Sequence, residues 1–460
     1  MSVVILVADG LRPDTLASAI AAGSVPALAR LSTEGGLSTV TSVFPSVTGP
    51  AYAPFLMGRF PGPVGLPGLR WFDRSRQLAR MPFHSRSYVG AEMRHVDSDL
   101  DPSAPTIFEL APSSLAAMNV IGRGLRKHER LGQGARFVLR TGFTHFRGNV
   151  KGWLAIDRDI AAAFTQRLFS ESPAFAFAAL TGIDKTSHAF GHESALTMEA
   201  LSIVDKTAGA IRATAEQTGV WNNTHLWIVS DHGHSAVAHH EDLASLVEEW
   251  GLSVIAHPWP MRRHPDAAVM VSGNAMAHIY VGLRADNRAG QTEFIASRLL
   301  ERESVELMLL PCTGGCEIRS AHSGNAMIHW DGGMKYSYAP GTGDPLGVGN
   351  QFELTEAEAY DATIESQYPD SIVQIAALSR SSRCGDIVIS ASPGWDFRAK
   401  YEPIPHVSTH GSLRREHMLV PILMNHPPGI LPRRTTDIMP SALSALGLSI
   451  PPALDGKSFF

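Results

Sequence analysis

A chain of 460 residues with 44% hydrophobic residues and a mean hydropathy of -0.01 carries enough apolar material for a large folded core. Its formal net charge of -5 argues against a general binder of nucleic-acid polymers, which is usually basic, and no apolar run approaches the length of a membrane span. Three cysteines, Cys312, Cys316 and Cys384, are an odd number and imply no disulfide framework.

In chain order, the first element is Ser2-Val-Val-Ile-Leu-Val-Ala8, a short β-branched run that ends in Asp9 and Gly10. Such a run predicts a strand buried on both faces of a parallel sheet. Among the hydroxyls that follow are Thr41, Ser46 and Thr48, the last just before Gly49-Pro50. From Gly122 to Gly152 there are eight Lys or Arg against one acid, Glu129. A run of this kind is usually a solvated face; the alternative is a lid that draws an anionic substrate inward. The strand grammar returns at Ala174–Leu180, before Asp184-Lys-Thr-Ser-His188, and at Leu226–Ser230, before Asp231-His232-Gly233-His234. Between 257 and 368, short alternating segments separated by Gly-Asn, Asp-Gly-Gly and Pro-Gly turns predict a small α+β cap. The pair Cys312 and Cys316 falls inside it and reads as ordinary thiols rather than half of a metal knuckle. Scaffold resumes at Gly385–Ser390 and Pro393-Gly-Trp395, and the last motif is Ser408-Thr-His410-Gly-Ser412.

Three strands that each end in an acid would deliver those acids to one rim, because in open α/β sheets the chemistry gathers beyond the carboxyl ends of the strands. Asp184 and His188 are four residues apart, so on a helix they share a face and can share an ion. The tight turn at Asp231-His232 sets a carboxylate beside an imidazole, with Gly233 allowing unusual backbone angles. Three carboxylates, three imidazoles and a hydroxyl, with no cysteine, suit zinc first, with manganese or iron next, rather than magnesium or calcium. Each residue also has a plainer reading: an Asp after a strand is commonly a helix cap or turn residue, and Thr48 before Gly49-Pro50 is also ordinary turn chemistry. His192, His234, His239, His240 and His406 form a second tier, in which His234 and His406 flank ligand motifs and would orient them.

These motifs, in this order, resemble the alkaline phosphatase superfamily and, within it, the nucleotide pyrophosphatase/phosphodiesterase branch. The resemblance covers most of the chain outside its insertions. That branch carries its nucleophile in a segment of the form Thr-Phe-Pro-Asn-His followed by Leu-x-Thr-Gly-x-Tyr-Pro; aligned backward from Leu56-Met-Gly-Arg-Phe-Pro61, the resemblance makes the nucleophile Thr48 rather than Thr41 or Ser46. Pro105-Thr-Ile-Phe108 is similar to the family's Pro-Ile-Trp segment. The resemblance implies that Asp9, Thr48, Asp231 and His232 hold one metal ion and that Asp184, His188 and His410 hold a second. Two departures stand out. Leu69 falls where the branch has an Asn that binds a phosphate oxygen, leaving Arg70 as the candidate for that oxygen, with a bidentate fork suited to a monoester. Ala51-Tyr52 replaces the family's Asn-His.

The expectation is a doubly wound, mostly parallel α/β sheet flanked by helices, of the alkaline phosphatase type. Its core is 1–256 and 369–460, with a basic insertion at about 122–152, and its cap is 257–368. The expected activity is two-metal hydrolysis of a small phosphate ester, diester or pyrophosphate, through a phosphothreonine at Thr48. A phosphomonoesterase or a phosphotransferase would share the site; a sulfatase fits less well, since Thr48-Gly-Pro lacks the Cys-x-Pro-x-Arg context. From another class comes a metal-dependent binding protein without turnover. A first strand beginning at Ser2 leaves no room for a removable signal peptide and points to the cytoplasm. Oligomeric state and leaving group stay open.

Overall fold

Along Ser2–Ala8 successive side chains alternate across the pleat, and both faces are dry. Val3, Ile5 and Val7 enter one apolar cluster; Val4, Leu6 and Ala8 enter another. A computed structural model describes residues 1–75, 85–88, 91–257, 264–284, 287–332, 335–398, 402 and 406–460. In it, Ser2–Ala8 lies between two parallel neighbours, Phe175–Leu180 and Thr224–Val229. Ser114–Ala117 and the short Arg130–Leu131 extend the parallel side. Leu419–Met424 and Leu37–Thr41 close the other edge as antiparallel strands. This seven-stranded sheet is the expected mostly parallel scaffold.

Helices cover both faces. Pro13–Ala21, Pro26–Glu34, Val150–Glu171 and Ala195–Gln217 bury their apolar stripes against one side. Ala53–Met57 and Ile438–Ala445 lie on the other, in the cluster that also receives Ala268, Met270 and Tyr280. Among the described residues no helix is long and apolar enough to cross a membrane.

A second sheet of nine strands runs from Val254 to Ala391, taking in the stretch 257–368 expected to form a cap, and is antiparallel apart from its first pair. The helix Arg288–Leu300 packs on one face and Ser371–Ser379 on the other. One strand differs from expectation. Ile387–Ala391, read from sequence as returning scaffold, pairs instead between Met276–Tyr280 and Val305–Cys312 in the second sheet. The three cysteines are free thiols, and Cys312 and Cys316 sit on facing strands of a hairpin in this sheet. The basic stretch is also more integral than an insertion, since its Arg130–Leu131 is the edge strand of the main sheet. A third, three-stranded sheet joins Gly394–Phe397, Ser235–Glu241 and Ser408–Thr409. It fastens the segment after His234 to the segment before His410, and so frames the site described next.

Candidate metal centre

Asp9, Asp184 and Asp231 all follow the carboxyl ends of adjacent parallel strands, as the strand-then-acid pattern requires. Asp184 and His188 occupy one face of the helix Gly182–Phe190, with Oδ1 and Nε2 3.2 Å apart. Nothing in the sequence flags what begins that helix: Asp157, buried in Val150–Glu171, accepts hydrogen bonds from the backbone N–H groups of Thr181 and Gly182 at 3.1 and 2.6 Å. Two glycines make the convergence possible. Gly10 has φ +80°, and a Cβ there would lie 2.8 Å from His234 Nε2 and 3.2 Å from the Asp184 backbone. Gly233 is needed for space rather than for an unusual backbone angle, because a Cβ would meet the Glu416 carbonyl oxygen at 2.1 Å.

Among the described residues, three groups of side chains lie close enough to share an ion: Asp9, Asp231 and His232; Asp184, His232 and His410; and Asp184, His188 and His234. Thr48 Oγ1 stands at the first of these, 3.2 Å from Asp9 Oδ1 and 3.1 Å from His232 Nε2. Thr48 is partly exposed, whereas Asp9, Asp184, His188, Asp231, His232, His234 and His410 are all buried. The rings of His232 and His410 stack at 3.6 Å with 3° between their planes, joining the two halves of the cluster.

Hydrogen bonding sets the histidine tautomers. His188 Nδ1 lies 2.9 Å from the Ser408 carbonyl, His410 Nδ1 2.9 Å from the Ser46 carbonyl, and His232 Nδ1 3.1 Å from the Gly233 carbonyl. A carbonyl only accepts, so each Nδ1 carries a proton and Nε2 is the ring atom that faces the carboxylates and could take an ion. His234 is different. Its Nε2 is 3.1 Å from Asp184 Oδ1 and its Nδ1 is 3.2 Å from the Ser408 hydroxyl. In the neutral ring Nε2–H donates to the carboxylate and Nδ1 accepts from Ser408, the pattern of a residue that orients a ligand.

The charges fit a cation site. Burial, followed by the negative charge of Asp9, pushes the Asp231 carboxyl up to about 7. Burial alone would lower His232, but Asp231 and Asp9 overcome it and raise the imidazole to about 9. Burial also works against the Asp184 anion, yet Lys185 and His188 hold it well below the usual carboxylate range. Burial pulls His234 down to about 3 and His410 well below its ordinary value, so both are neutral. Asp231 Oδ2 is buried without a hydrogen-bond partner. An acceptor left bare among nitrogen and oxygen donors is what a divalent ion would satisfy.

Beyond the cluster, Lys185 donates to Asp184 Oδ2 at 2.7 Å. His406 stacks on His188 at 4.3 Å and is pinned through Nδ1, 2.9 Å from Asp396 Oδ2, while His240 Nδ1 takes the other oxygen at 2.6 Å. His192 and His239 lie elsewhere, next to Glu193 and Trp395 respectively. Arg70 is buried, with its guanidinium 3.3 Å from the Val271 carbonyl, 3.3 Å from Ser87 Oγ and 3.9 Å from Glu402. Leu69 is the neighbour of the Thr48 turn: its side chain would lie 3.8 Å from a Cβ built on Gly49.

A family model described as type I phosphodiesterase / nucleotide pyrophosphatase matches residues 3–413. Among solved structures, the chain is similar to phosphonoacetate hydrolase from Sinorhizobium meliloti 1021 in complex with phosphonoformate, at 16% identity over 97% of this chain and 96% of that one, with a TM-score of 0.58. It is similar to human ectonucleotide pyrophosphatase / phosphodiesterase 5, at 16% identity over 99% and 97% of the two chains, with a TM-score of 0.60. The murine protein of that name, an inactive threonine-to-alanine form in complex with AMP, gives 16% identity, 98% and 96% coverage and a TM-score of 0.58. No curated protein sequence matches significantly. At this identity the structural likenesses establish a shared fold.

Proposed function

Because the chain belongs to the type I phosphodiesterase / nucleotide pyrophosphatase family and is a metal-dependent phosphoryl hydrolase, we propose that it cleaves a small phosphodiester or pyrophosphate with Thr48 as covalent nucleophile. In this reading Asp9, Thr48, Asp231 and His232 hold one divalent ion, and Asp184, His188 and His410 hold the other, with zinc first among candidates. When bound, such a pair supplies positive charge that favours the alkoxide form of a hydroxyl and stabilises a departing oxygen.

The observation that carries the proposal is the position of Thr48, a partly exposed residue beside a buried cluster, with Oγ1 within 3.2 Å of both Asp9 Oδ1 and His232 Nε2. Thr48 attacks phosphorus in line with the leaving oxygen, forming phosphothreonine, and water then displaces the threonine oxygen from the same phosphorus. Two inversions give net retention. His188, His410 and His232 hold their Nδ1 protons on backbone carbonyls, so each offers Nε2 alone, which in this reading would be committed to an ion rather than to base catalysis. His406 and Asp396 brace the His188 ring, and Lys185 holds Asp184 as the anion.

The diester reading is preferred to a monoesterase because the group that would favour a monoester, Arg70, has its guanidinium on Val271, Ser87 and Glu402, while apolar Leu69 faces the Thr48 turn. The inactive threonine-to-alanine form of the murine protein, in complex with AMP, lends weight to a threonine nucleophile here.

The test compares hydrolysis of bis(4-nitrophenyl) phosphate, 4-nitrophenyl phosphate, a dinucleotide pyrophosphate and a phosphonate, alongside metal analysis. Thr48→Ala is expected to lower kcat by roughly a thousandfold or more, as loss of a covalent nucleophile does in other hydrolases, while both metals stay bound. A Thr48→Ala protein as active as the parent would refute the nucleophile; a large preference for the monoester would refute the substrate class.

A further inference from the structure

The helix Ala135–Phe146 turns an apolar ridge toward solvent. Leu139, Phe143 and Phe146 recur at spacings of four and three residues and therefore share one face. They are 73%, 60% and 78% exposed, and Val138 beside them is 56% exposed. Single exposed apolar side chains are ordinary on a protein surface, but four on one helix form a contiguous patch of the kind that marks an interaction site. The opposite face is satisfied: Thr144 is buried and Phe137 packs against the core beneath the main sheet.

Cationic side chains border the ridge. Arg136, Arg140 and Arg147 lie along the helix and just past its end, and Lys151 begins the next helix; from Leu131 to Ile156 the chain has no acidic residue. Arg147 lies over the Phe143 ring at 4.2 Å, and Arg140 reaches the exposed Asp159 at 2.6 Å. This row stands on a chain whose net charge is -5.

We propose that this helix docks the protein onto an anionic phospholipid surface, with Leu139, Phe143 and Phe146 entering the acyl boundary and the arginine row meeting lipid phosphates. A helix with Phe and Leu on one face and Arg alongside lies in a membrane interface rather than across it, and each cation near an anionic leaflet adds about 1 kcal/mol of attraction, roughly fivefold in binding. A second copy of the chain fits this face less well. A twofold contact sets the same patch on both partners, so two arginine rows would meet, with repulsion instead of attraction. The proposal goes beyond the hydrolase reading and does not depend on it.

The full-length, metal-loaded protein is mixed with vesicles of phosphatidylcholine alone or with added phosphatidylglycerol and separated by flotation. Binding is expected only with phosphatidylglycerol and should weaken as salt is added. Leu139→Ser/Phe146→Ser should abolish it, and Arg136→Gln and Arg147→Gln should each weaken it roughly fivefold. None of these residues belongs to the proposed catalytic machinery, so turnover of a soluble nitrophenyl ester should be unchanged in all variants and serves as the folding control. The proposal is overturned if phosphatidylglycerol vesicles are not bound, or if the variants bind as the parent does. It is equally overturned if light scattering finds a dimer that the ridge variant converts to monomer, which would assign this face to a second copy.

Discussion

His234 provides a sharp test of the centre, because its geometry admits two roles with different consequences. It is fully buried, with Nε2 3.1 Å from Asp184 Oδ1 and Nδ1 3.2 Å from Ser408 Oγ. By distance it could close a group with Asp184 and His188; by tautomer it orients the carboxylate, since the neutral ring that burial enforces puts its proton on Nε2. In the orienting role, His234→Leu removes a donor and leaves Asp184 still beside His188 at 3.2 Å and His410 at 3.5 Å. Loss of such an outer partner costs about 10- to 100-fold in metal affinity, or about 1.4 to 2.8 kcal/mol. The Ser408 hydroxyl also loses its partner, which costs roughly 1 to 3 kcal/mol of stability whether or not a metal is bound. Melting temperature alone is therefore a poor readout. Competition against a chelating indicator, with metal content measured after dialysis, isolates the relevant quantity. His234→Leu should bind two ions with one of them weakened, His234→Gln should recover most of the loss because its amide can still donate to Asp184, and His188→Ala should lose one ion outright. If His234→Leu and His188→Ala lose metal alike, His234 is itself a ligand; if His234→Leu binds metal as the parent does, it has no hold on Asp184.

Two further predictions concern the junction of the sheets. His278 is buried in the second sheet, with Nε2 2.8 Å from the Pro67 carbonyl and Nδ1 accepting from Gly385 N at 3.2 Å, and burial pulls it from its ordinary 6.5 to about 4. The unfolded chain takes up that proton as pH falls below 6.5 while the folded chain resists until about 4, so stability present above this window is lost across it, by up to about 3 kcal/mol. His278→Gln, whose amide can serve both partners, should flatten the denaturation midpoint between pH 6.5 and 4 relative to the parent; an unchanged slope would show that His278 does not contribute. Asp370 and Arg434 form a buried bidentate pair, at 2.7 Å through each oxygen, that ties the helix Ser371–Ser379 to the C-terminal part of the core. Asp370→Ala removes the bidentate partner and leaves the guanidinium with Glu356 alone, and should cost roughly 1.5 to 3 kcal/mol in urea denaturation, with part of the loss recovered by also changing Arg434→Met. A single-variant cost below about 1 kcal/mol, the range of exposed pairs, would contradict this.

How far the chain could be read from its residues depended on whether a feature is local. Asp9, Asp184 and Asp231 were legible because a short apolar run followed by an acid is a local pattern, and topology then carries each acid to the same rim. The four-residue spacing of Asp184 and His188 was legible for the same reason, since helical periodicity alone sets their distance. Ile387–Ala391 shows where that grammar is ambiguous. Its Val388 faces one apolar cluster and its Ile387 and Ile389 another, so a strand at the centre of the second sheet has the same two-sided burial as Ser2–Ala8 at the centre of the first. Composition cannot say which sheet such a strand enters; only its pairing with Met276–Tyr280 and Val305–Cys312 does. The supporting residues were hidden for a related reason. Asp157 lies mid-helix and Lys185 looks like any solvated lysine, yet one caps the helix that carries Asp184 and the other pairs with Asp184 itself. Asp396 reaches the centre only through His406, ten positions away and on a different segment. Such partners arise from proximity across the small sheet of Gly394–Phe397, Ser235–Glu241 and Ser408–Thr409, and that proximity comes into being only when the chain closes.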